Sequence, residues 1–196
     1  ILSTGMSEID EVDTAMSIFK NNNLSLLHCV SSYPTPLNEC NLDMIKFLKE
    51  RYKVKVGYSG HEIGYLPSLA AVSVGAEIIE RHFTLDNKLE GFDHKISLEP
   101  EELKDMIKSI RDIEECFQNK PKKISETEMI TRNKYHVSMV SKINIKKGFK
   151  LQKEFITYKN PGTGIPPKFE EKYINKIFSK DVEKDTLISE DMFENE

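Results

Sequence analysis

Val54-Lys55-Val56-Gly57-Tyr58, running into Ser59-Gly60-His61-Glu62-Ile63-Gly64, reads as a short buried strand followed by a glycine-spaced polar loop. Upstream of it, Leu42, Ile45, Phe47 and Leu48 recur at helical spacing. Before that helix, Tyr33-Pro34-Thr35-Pro36 must be loop, because each proline locks φ and removes a backbone donor. Leu24 to Val30 is a near-continuous apolar run, the pattern of a strand buried on both faces. At the start, Ile1-Leu2-Ser3 leads into Thr4-Gly5. Ser7 with Asp10 then marks the N-cap and first turn of a helix carrying Ile9, Val12, Ala15, Met16 and Phe19, ended by Asn21-Asn22-Asn23. Downstream follow a small-residue helix around Leu69 to Val74, a fourth strand over Glu77 to Phe83, and a last helix from about Pro100 to Phe117.

Strand and helix thus alternate four times at βα spacing, which predicts parallel pairing through right-handed crossovers. Four such units make the C-terminal half of a (β/α)8 (TIM) barrel. A small open doubly wound sheet fits the same pattern. The polar clusters all fall just after strand ends, where α/β folds place their chemistry.

From Gln118 the composition turns polar, and Pro121-Lys122-Lys123 with Ser125-Glu126-Thr127-Glu128 predicts a linker over 121–132. It separates an α/β domain, 1–120, from a second domain, 133–196. There, short β-like pieces (Val137 to Val140, Phe155 to Tyr158) alternate with turns such as Pro161-Gly162-Thr163-Gly164. Ile143 to Gly148 resembles Val182 to Thr186, and each is followed by a similar short piece, Leu151 to Phe155 and Leu187 to Asp191. This is a weak internal repeat.

The 196 residues carry 28 Lys+Arg against 32 Asp+Glu, a net charge of -4 with no basic cluster, which excludes an ordinary nucleic-acid binder. No apolar run approaches the roughly 20 residues of a membrane helix. The opening residues lack the basic start and long apolar stretch of a signal peptide. Cys29, Cys40 and Cys116 are odd in number and widely spaced, so reduced thiols in a cytoplasm are expected rather than a disulfide framework. Ile1 enters directly on an apolar run, the expected look of the C-terminal part of a longer protein. No dinucleotide, P-loop or Ser-His-Asp pattern occurs.

His61 and His82 each lie within a residue or two of a predicted strand end on consecutive βα units, so both imidazoles could share a divalent metal; from spacing alone, two unrelated surface or hydrogen-bonded histidines are the commoner case. Asp93 and His94, in Gly91-Phe92-Asp93-His94, form a second polar pair; a carboxylate there can orient water, act as a base or bind a sugar hydroxyl, or simply make a turn. Ser3, Ser31, Ser32 and Ser59 offer hydroxyls where an anion such as phosphate is cradled, and capping explains any one of them alone. Cys29 follows an apolar strand and is expected to pack rather than react.

Taken together, Leu2-Ser3-Thr4-Gly5-Met6, Leu27-His28-Cys29, Tyr33-Pro34-Thr35-Pro36, Gly57-Tyr58-Ser59-Gly60-His61, Glu80-Arg81-His82-Phe83-Thr84 and Gly91-Phe92-Asp93-His94 resemble the sialic acid synthases, the N-acetylneuraminate synthases with their legionaminate and pseudaminate relatives. Lys159-Asn160-Pro161-Gly162-Thr163-Gly164-Ile165 resembles their C-terminal antifreeze-like (SAF) domain. The resemblance implies a cytoplasmic barrel enzyme that condenses phosphoenolpyruvate with an N-acetylated amino sugar, typically N-acetylmannosamine, and releases phosphate by C–O cleavage. It implies that His61 and His82 hold Mn2+, or Mg2+ or Co2+, which polarises the sugar aldehyde. Ser3, Ser31 and Ser59 match positions that grip phosphoenolpyruvate, while Tyr33 and Asp93 match positions that contact the sugar or its attacking groups. It further implies a domain-swapped homodimer, with the tail motif over the partner's site.

Two positions depart from the family. Ser31 stands where Asn is usual, and Asn160 stands where an arginine is frequent, losing the charge and the bidentate fork. The family's first four strands, with their phosphate-gripping lysines and acidic residues, have no counterpart here. The fragment alone is therefore expected to be inactive. A non-catalytic sugar-binding or dimerisation module is the alternative; a metal-dependent aldolase or sugar isomerase would leave the tail unexplained.

Overall fold

The computed structural model describes residues 1–19 and 23–194. It divides into two compact units, Ile1–Asn119 and Lys120–Glu196.

The first unit holds strands β1 (Leu2–Ser3), β2 (Ser25–Cys29), β3 (Lys55–Gly60) and β4 (Ile79–Arg81). Its helices are α1 (Ile9–Ile18), α2 (Asp43–Tyr52), α3 (Leu66–Ser73) and α4 (Pro100–Cys116). The strands pair in parallel in the order β1-β2-β3-β4. A doubly wound sheet reverses its strand order at a switch point. Here the order runs straight through, and the open doubly wound alternative falls.

Side chains alternate across a strand, so each strand has two different faces. Leu26, Val56 and Tyr58, buried, pack in one cluster with Ile45 and Leu48 of α2 and Ala71 of α3; Leu2, Ile79 and Met16 of α1 join it. Helices therefore cover that face. The intervening residues Leu27, Cys29, Gly57, Ser59 and Glu80 point the other way. Cys29 stands opposite Ser59 and Ser59 opposite Glu80.

Two local expectations are corrected. Ser59 and Gly60 continue β3 rather than opening a loop, since both pair with β4. The cap of α1 is Glu8, not Ser7: Glu8 and Glu11 form a reciprocal capping box. The residues Asn21 and Asn22, read as the end of that helix, lie outside the described residues. Beyond β4 the chain also pairs once more, because Phe83 bridges Leu98 in parallel and Leu98 is buried.

The second unit begins with α5 (Glu126–Tyr135), so the stretch 121–132 read as a linker is partly helical. The reason is local: Ser125 accepts from the Glu128 amide while the Glu128 carboxylate accepts from the Ser125 amide. The Ser-x-x-Glu pattern that announces such a box was present in the sequence.

β5 (Ser138–Ser141) and β6 (Ile156–Lys159) then form an antiparallel pair, and a short helix α6 spans Glu170–Tyr173. The core is Met139, Ile145, Leu151, Ile156, Ile165, Tyr173, Phe178, Val182, Ile188 and Phe193.

The weak internal repeat has a structural meaning. Its two copies lie against each other, with Ile145 and Val182 exchanging backbone hydrogen bonds of 2.7 and 2.8 Å. Each copy runs through a tight turn into a buried aliphatic residue, Leu151 or Ile188, and then a 3-10 turn. The turns need a left-handed residue at equivalent places, Gly148 at φ 85 and Asp185 at φ 63. Gly148 adopts this without cost, and Asp is one of the few others that tolerates it. No neighbouring atom would clash with a methyl at Gly148. Gly148→Ala is therefore expected to cost about 1–2 kcal/mol through backbone strain alone, and Gly148→Asn less; urea denaturation of the two variants checks the ranking.

No helix among the described residues is long and apolar enough to cross a membrane.

Candidate active site

The C-terminal ends of β2, β3 and β4 bring together residues that are far apart in the chain. His61 directly follows β3 and His82 directly follows β4. Their ring centroids are 5.2 Å apart, edge to face. Tyr33, in the proline loop after β2, lays its ring 4.2 Å from that of His61 and 6.0 Å from that of His82. The Phe92 ring lies 6.2 Å from that of Tyr33. Asp93 places Oδ2 3.7 Å from His82 Nδ1, near but outside hydrogen-bond range.

His61 is only 5% exposed. Its Nδ1 lies 2.9 Å from the carbonyl of Val30. A carbonyl can only accept, so Nδ1 carries a proton, and in the neutral imidazole Nε2 is the nitrogen with the lone pair. This is the tautomer a metal ligand needs, oriented by a backbone oxygen as ligating histidines usually are. The His61 carbonyl in turn accepts from the Thr35 amide at 3.1 Å, tying the proline loop to the strand end.

Two imidazoles on one rim fit a divalent metal as part of its ligand set. No group of three or more His, Cys, Asp or Glu close enough to hold a metal occurs among the described residues. The two histidines would therefore leave positions open for substrate or water.

The serines divide. Ser31 lies near His61 through Cys29, whose sulfur is 3.8 Å from Ser31 Oγ and 3.9 Å from His61 Nδ1. Ser3 ends β1 and is exposed; the next residue, Thr4, donates to the Leu27 carbonyl through both its amide and its hydroxyl. A Cβ on Gly5 would sit 2.3 Å from Ser31 Oγ, so a side chain there would push the Ser31 hydroxyl from its place. Ser59 is buried and spends its proton on Glu80 Oε1 at 2.7 Å. The Asp93-His94 pair also divides, since His94 Nδ1 meets the Thr84 hydroxyl at 2.7 Å while Asp93 faces His82. Asn160 belongs to the second unit, exposed, with its amide donating to the Tyr135 carbonyl at 2.9 Å.

Sequence reasoning missed the group behind the histidines. Glu62 is fully buried and forms an ion pair with Arg81, whose side chain is 2% exposed. Arg81 Nη2 also donates to the Glu62 carbonyl at 2.8 Å, and Nη1 to Ser68 Oγ at 3.3 Å. The Tyr58 hydroxyl donates to Glu62 Oε2 at 2.9 Å. Burial above all, with the Cys40 thiol and the Glu62 carboxylate beside it, pushes the Tyr58 phenol well above its ordinary value. His28, on the same side of the sheet, is held by the Cys40 carbonyl, and burial lowers its pKa. The available signal was only adjacency: Glu62 follows His61 and Arg81 precedes His82.

A model of the NeuB family matches residues 1–122. The N,N'-diacetyllegionaminic acid synthase of Campylobacter jejuni is 43% identical over 195 residues, covering 97% of this chain and 58% of that protein. Human N-acetylneuraminate-9-phosphate synthase is 35% identical over 199 residues, covering 100% of this chain and 55% of that one. Among solved structures, the N-acetylneuraminic acid (sialic acid) synthetase of Leptospira borgpetersenii, in complex with citrate, superposes with a TM-score of 0.60 at 41% identity, over 67% of this chain and 48% of that chain. The chain spans a little over half the length of the curated relatives it matches.

Proposed function

The chain belongs to the NeuB family, and on that footing we propose that it is part of a synthase that condenses phosphoenolpyruvate with N-acetylmannosamine or a related N-acetylated amino sugar. The products are a sialic acid-type nonulosonate and phosphate. The first unit contributes the C-terminal sector of a (β/α)8 barrel, a reading supported by the unreversed strand order and the helices on one face. The second unit is the antifreeze-like domain, which reaches the partner's site in a homodimer.

The observation that carries this reading is the apposed pair His61 and His82 at the strand ends, with Tyr33 and Asp93 beside them. His61 and His82 would hold a divalent metal, manganese foremost and magnesium or cobalt as alternatives, whose chemistry when bound is polarisation of the sugar aldehyde. Tyr33, packed against His61, walls the sugar side and offers its hydroxyl to the substrate. Asp93 Oδ2, open to solvent, accepts a proton from a sugar hydroxyl or from the water that adds after carbon–carbon bond formation. Ser3 and Ser31 donate to the phosphate. Ser59 joins them only by releasing Glu80, whose negative charge would otherwise oppose the phosphate.

A phosphate-release assay tests the proposal. The complete enzyme is expected to release phosphate only with both substrates and Mn2+, and the 196-residue chain alone to release none. A complete enzyme that binds the sugar but releases no phosphate would leave the non-catalytic reading. Light scattering of the complete enzyme is expected to give a dimer.

Asn160 supplies a finer prediction. Its amide is engaged with Tyr135, which leaves the carbonyl oxygen to meet the partner's sugar. Asn160→Ala loses one neutral hydrogen bond, worth about 0.5–1.5 kcal/mol, so the sugar KM should rise a few-fold to about tenfold with the phosphoenolpyruvate KM unmoved. Equal changes in the two constants would remove Asn160 from the sugar end.

A further inference from the structure

We propose that Glu62 and Arg81 are positioning residues, whose buried ion pair clamps the ends of β3 and β4 and so sets the spacing of His61 and His82. The inference rests on the metal reading for its consequence, and on the geometry alone for its substance.

The last paired residues of the β3–β4 ladder are Gly60 and Arg81. His61 and His82 lie just beyond it, where no strand pairing joins them. The Arg81 guanidinium takes over there: it pairs with the Glu62 carboxylate and donates to the Glu62 backbone carbonyl at 2.8 Å. One side chain thereby grips both the side chain and the main chain of the residue next to His61, from the residue next to His82. The carbonyls of the two histidines are held outward by other loops, His61 by the Thr35 amide and His82 by the Leu98 amide at 2.9 Å.

The surroundings are shaped to this pair. A Cβ on Gly60 would lie 2.7 and 2.9 Å from the two Glu62 carboxylate oxygens, so the glycine makes room for the charge. Tyr58 and Ser68 turn their hydroxyls toward it. Arg81 and Tyr58 point from the sheet's helix-covered face, whereas Glu80 and Ser59 point from the opposite one. The network is thus buried on the face opposite the one that carries Glu80 and Ser59.

Energetics points the same way. A buried ion pair roughly breaks even against apolar residues of similar volume, because desolvation offsets the attraction. What apolar packing cannot supply is direction. With Nη1 on the Glu62 carboxylate and Nη2 on the Glu62 main-chain carbonyl, the planar guanidinium fixes two strand ends in distance and orientation at once.

The test uses the full chain and the double variant Glu62→Leu/Arg81→Met, which removes both charges and keeps most of the volume. Three quantities are read: the thermal midpoint, the Mn2+ Kd by electron paramagnetic resonance, and the nuclear Overhauser effect between the His61 and His82 ring protons. The expected result is a midpoint near the parent's, an inter-ring effect lost or cut by more than half, and a Kd weakened about 10- to 100-fold, the usual consequence of losing groups that orient metal ligands. A folded double variant with the parent's inter-ring effect and Kd overturns the proposal. If the double variant does not fold, Tyr58→Phe, which removes one hydrogen bond to Glu62, is expected to weaken the Kd a few-fold; an unchanged Kd and inter-ring effect there overturns it. If the parent chain binds no Mn2+, the metal reading fails by itself, and the inter-ring effect alone decides the positioning role.

Discussion

Replacing His61 with alanine is expected to abolish Mn2+ binding, a larger loss than the about 10- to 100-fold that follows removal of an outer partner of a metal ligand. His61 is nearly buried, its Nδ1 committed to the Val30 carbonyl, which leaves Nε2 as the nitrogen available to a metal. No other His, Cys, Asp or Glu among the described residues makes a third member of a metal-holding group that could stand in for it. The fold should survive, because His61 packs at the end of the sheet and takes no part in the cluster of Leu26, Ile45, Leu48, Val56, Tyr58 and Ala71. His82→Ala should behave alike, with an even smaller effect on stability since His82 is half-buried. Electron paramagnetic resonance of Mn2+ titrated into each variant reads the loss. Parent-like affinity in a folded His61→Ala chain would remove the histidine pair as the metal site.

Arg81→Met alone should be the most destabilising single change at the site, by about 3–5 kcal/mol, because it strands the Glu62 carboxylate in a fully buried position without a counter-charge. In a unit of this size the thermal midpoint should fall on the order of 10 °C or more. Adding Glu62→Leu should recover most of the loss, and the size of that recovery measures the coupling between the two residues. The exposed pair Lys108–Asp112 on α4 is the control, since breaking a solvated ion pair usually changes stability by less than about 1 kcal/mol. An Arg81→Met midpoint matching that of Asp112→Asn would mean that Glu62 reaches solvent.

Much of this molecule was legible before any coordinates. The alternation of apolar runs and amphipathic segments placed β2, β3, α2 and α4 within a few residues of where they lie, because helix and strand periodicity follow from burying one face of a regular backbone. The same alternation placed His61 and His82 within a residue or two of strand ends, although the fourth strand, expected over 77–83, stops at Arg81 and leaves His82 just beyond it. The helix α5 was also legible, in Ser125-x-x-Glu128, and was obscured by the polar composition around it. The internal repeat in the second unit could be seen as a likeness of two segments, but not as two segments lying face to face.

What no local pattern contained was which face each strand turns to the helices, and which side chains meet across strands. Asp93 and His94 are neighbours in sequence yet point to different partners, His82 and Thr84. Ser59 looks like a phosphate donor beside a loop and is instead spent on Glu80 across the ladder. Glu62 and Arg81 have no shared signature in the chain, being separated by the whole of α3. Sequence by itself determined the elements and their order, since these depend on sterics and periodicity over a few residues. Only the tertiary structure decided that two charged residues would be taken out of water together: the burial of an ion pair is set by the packing of a helix across two strand ends, a property of distant segments at once.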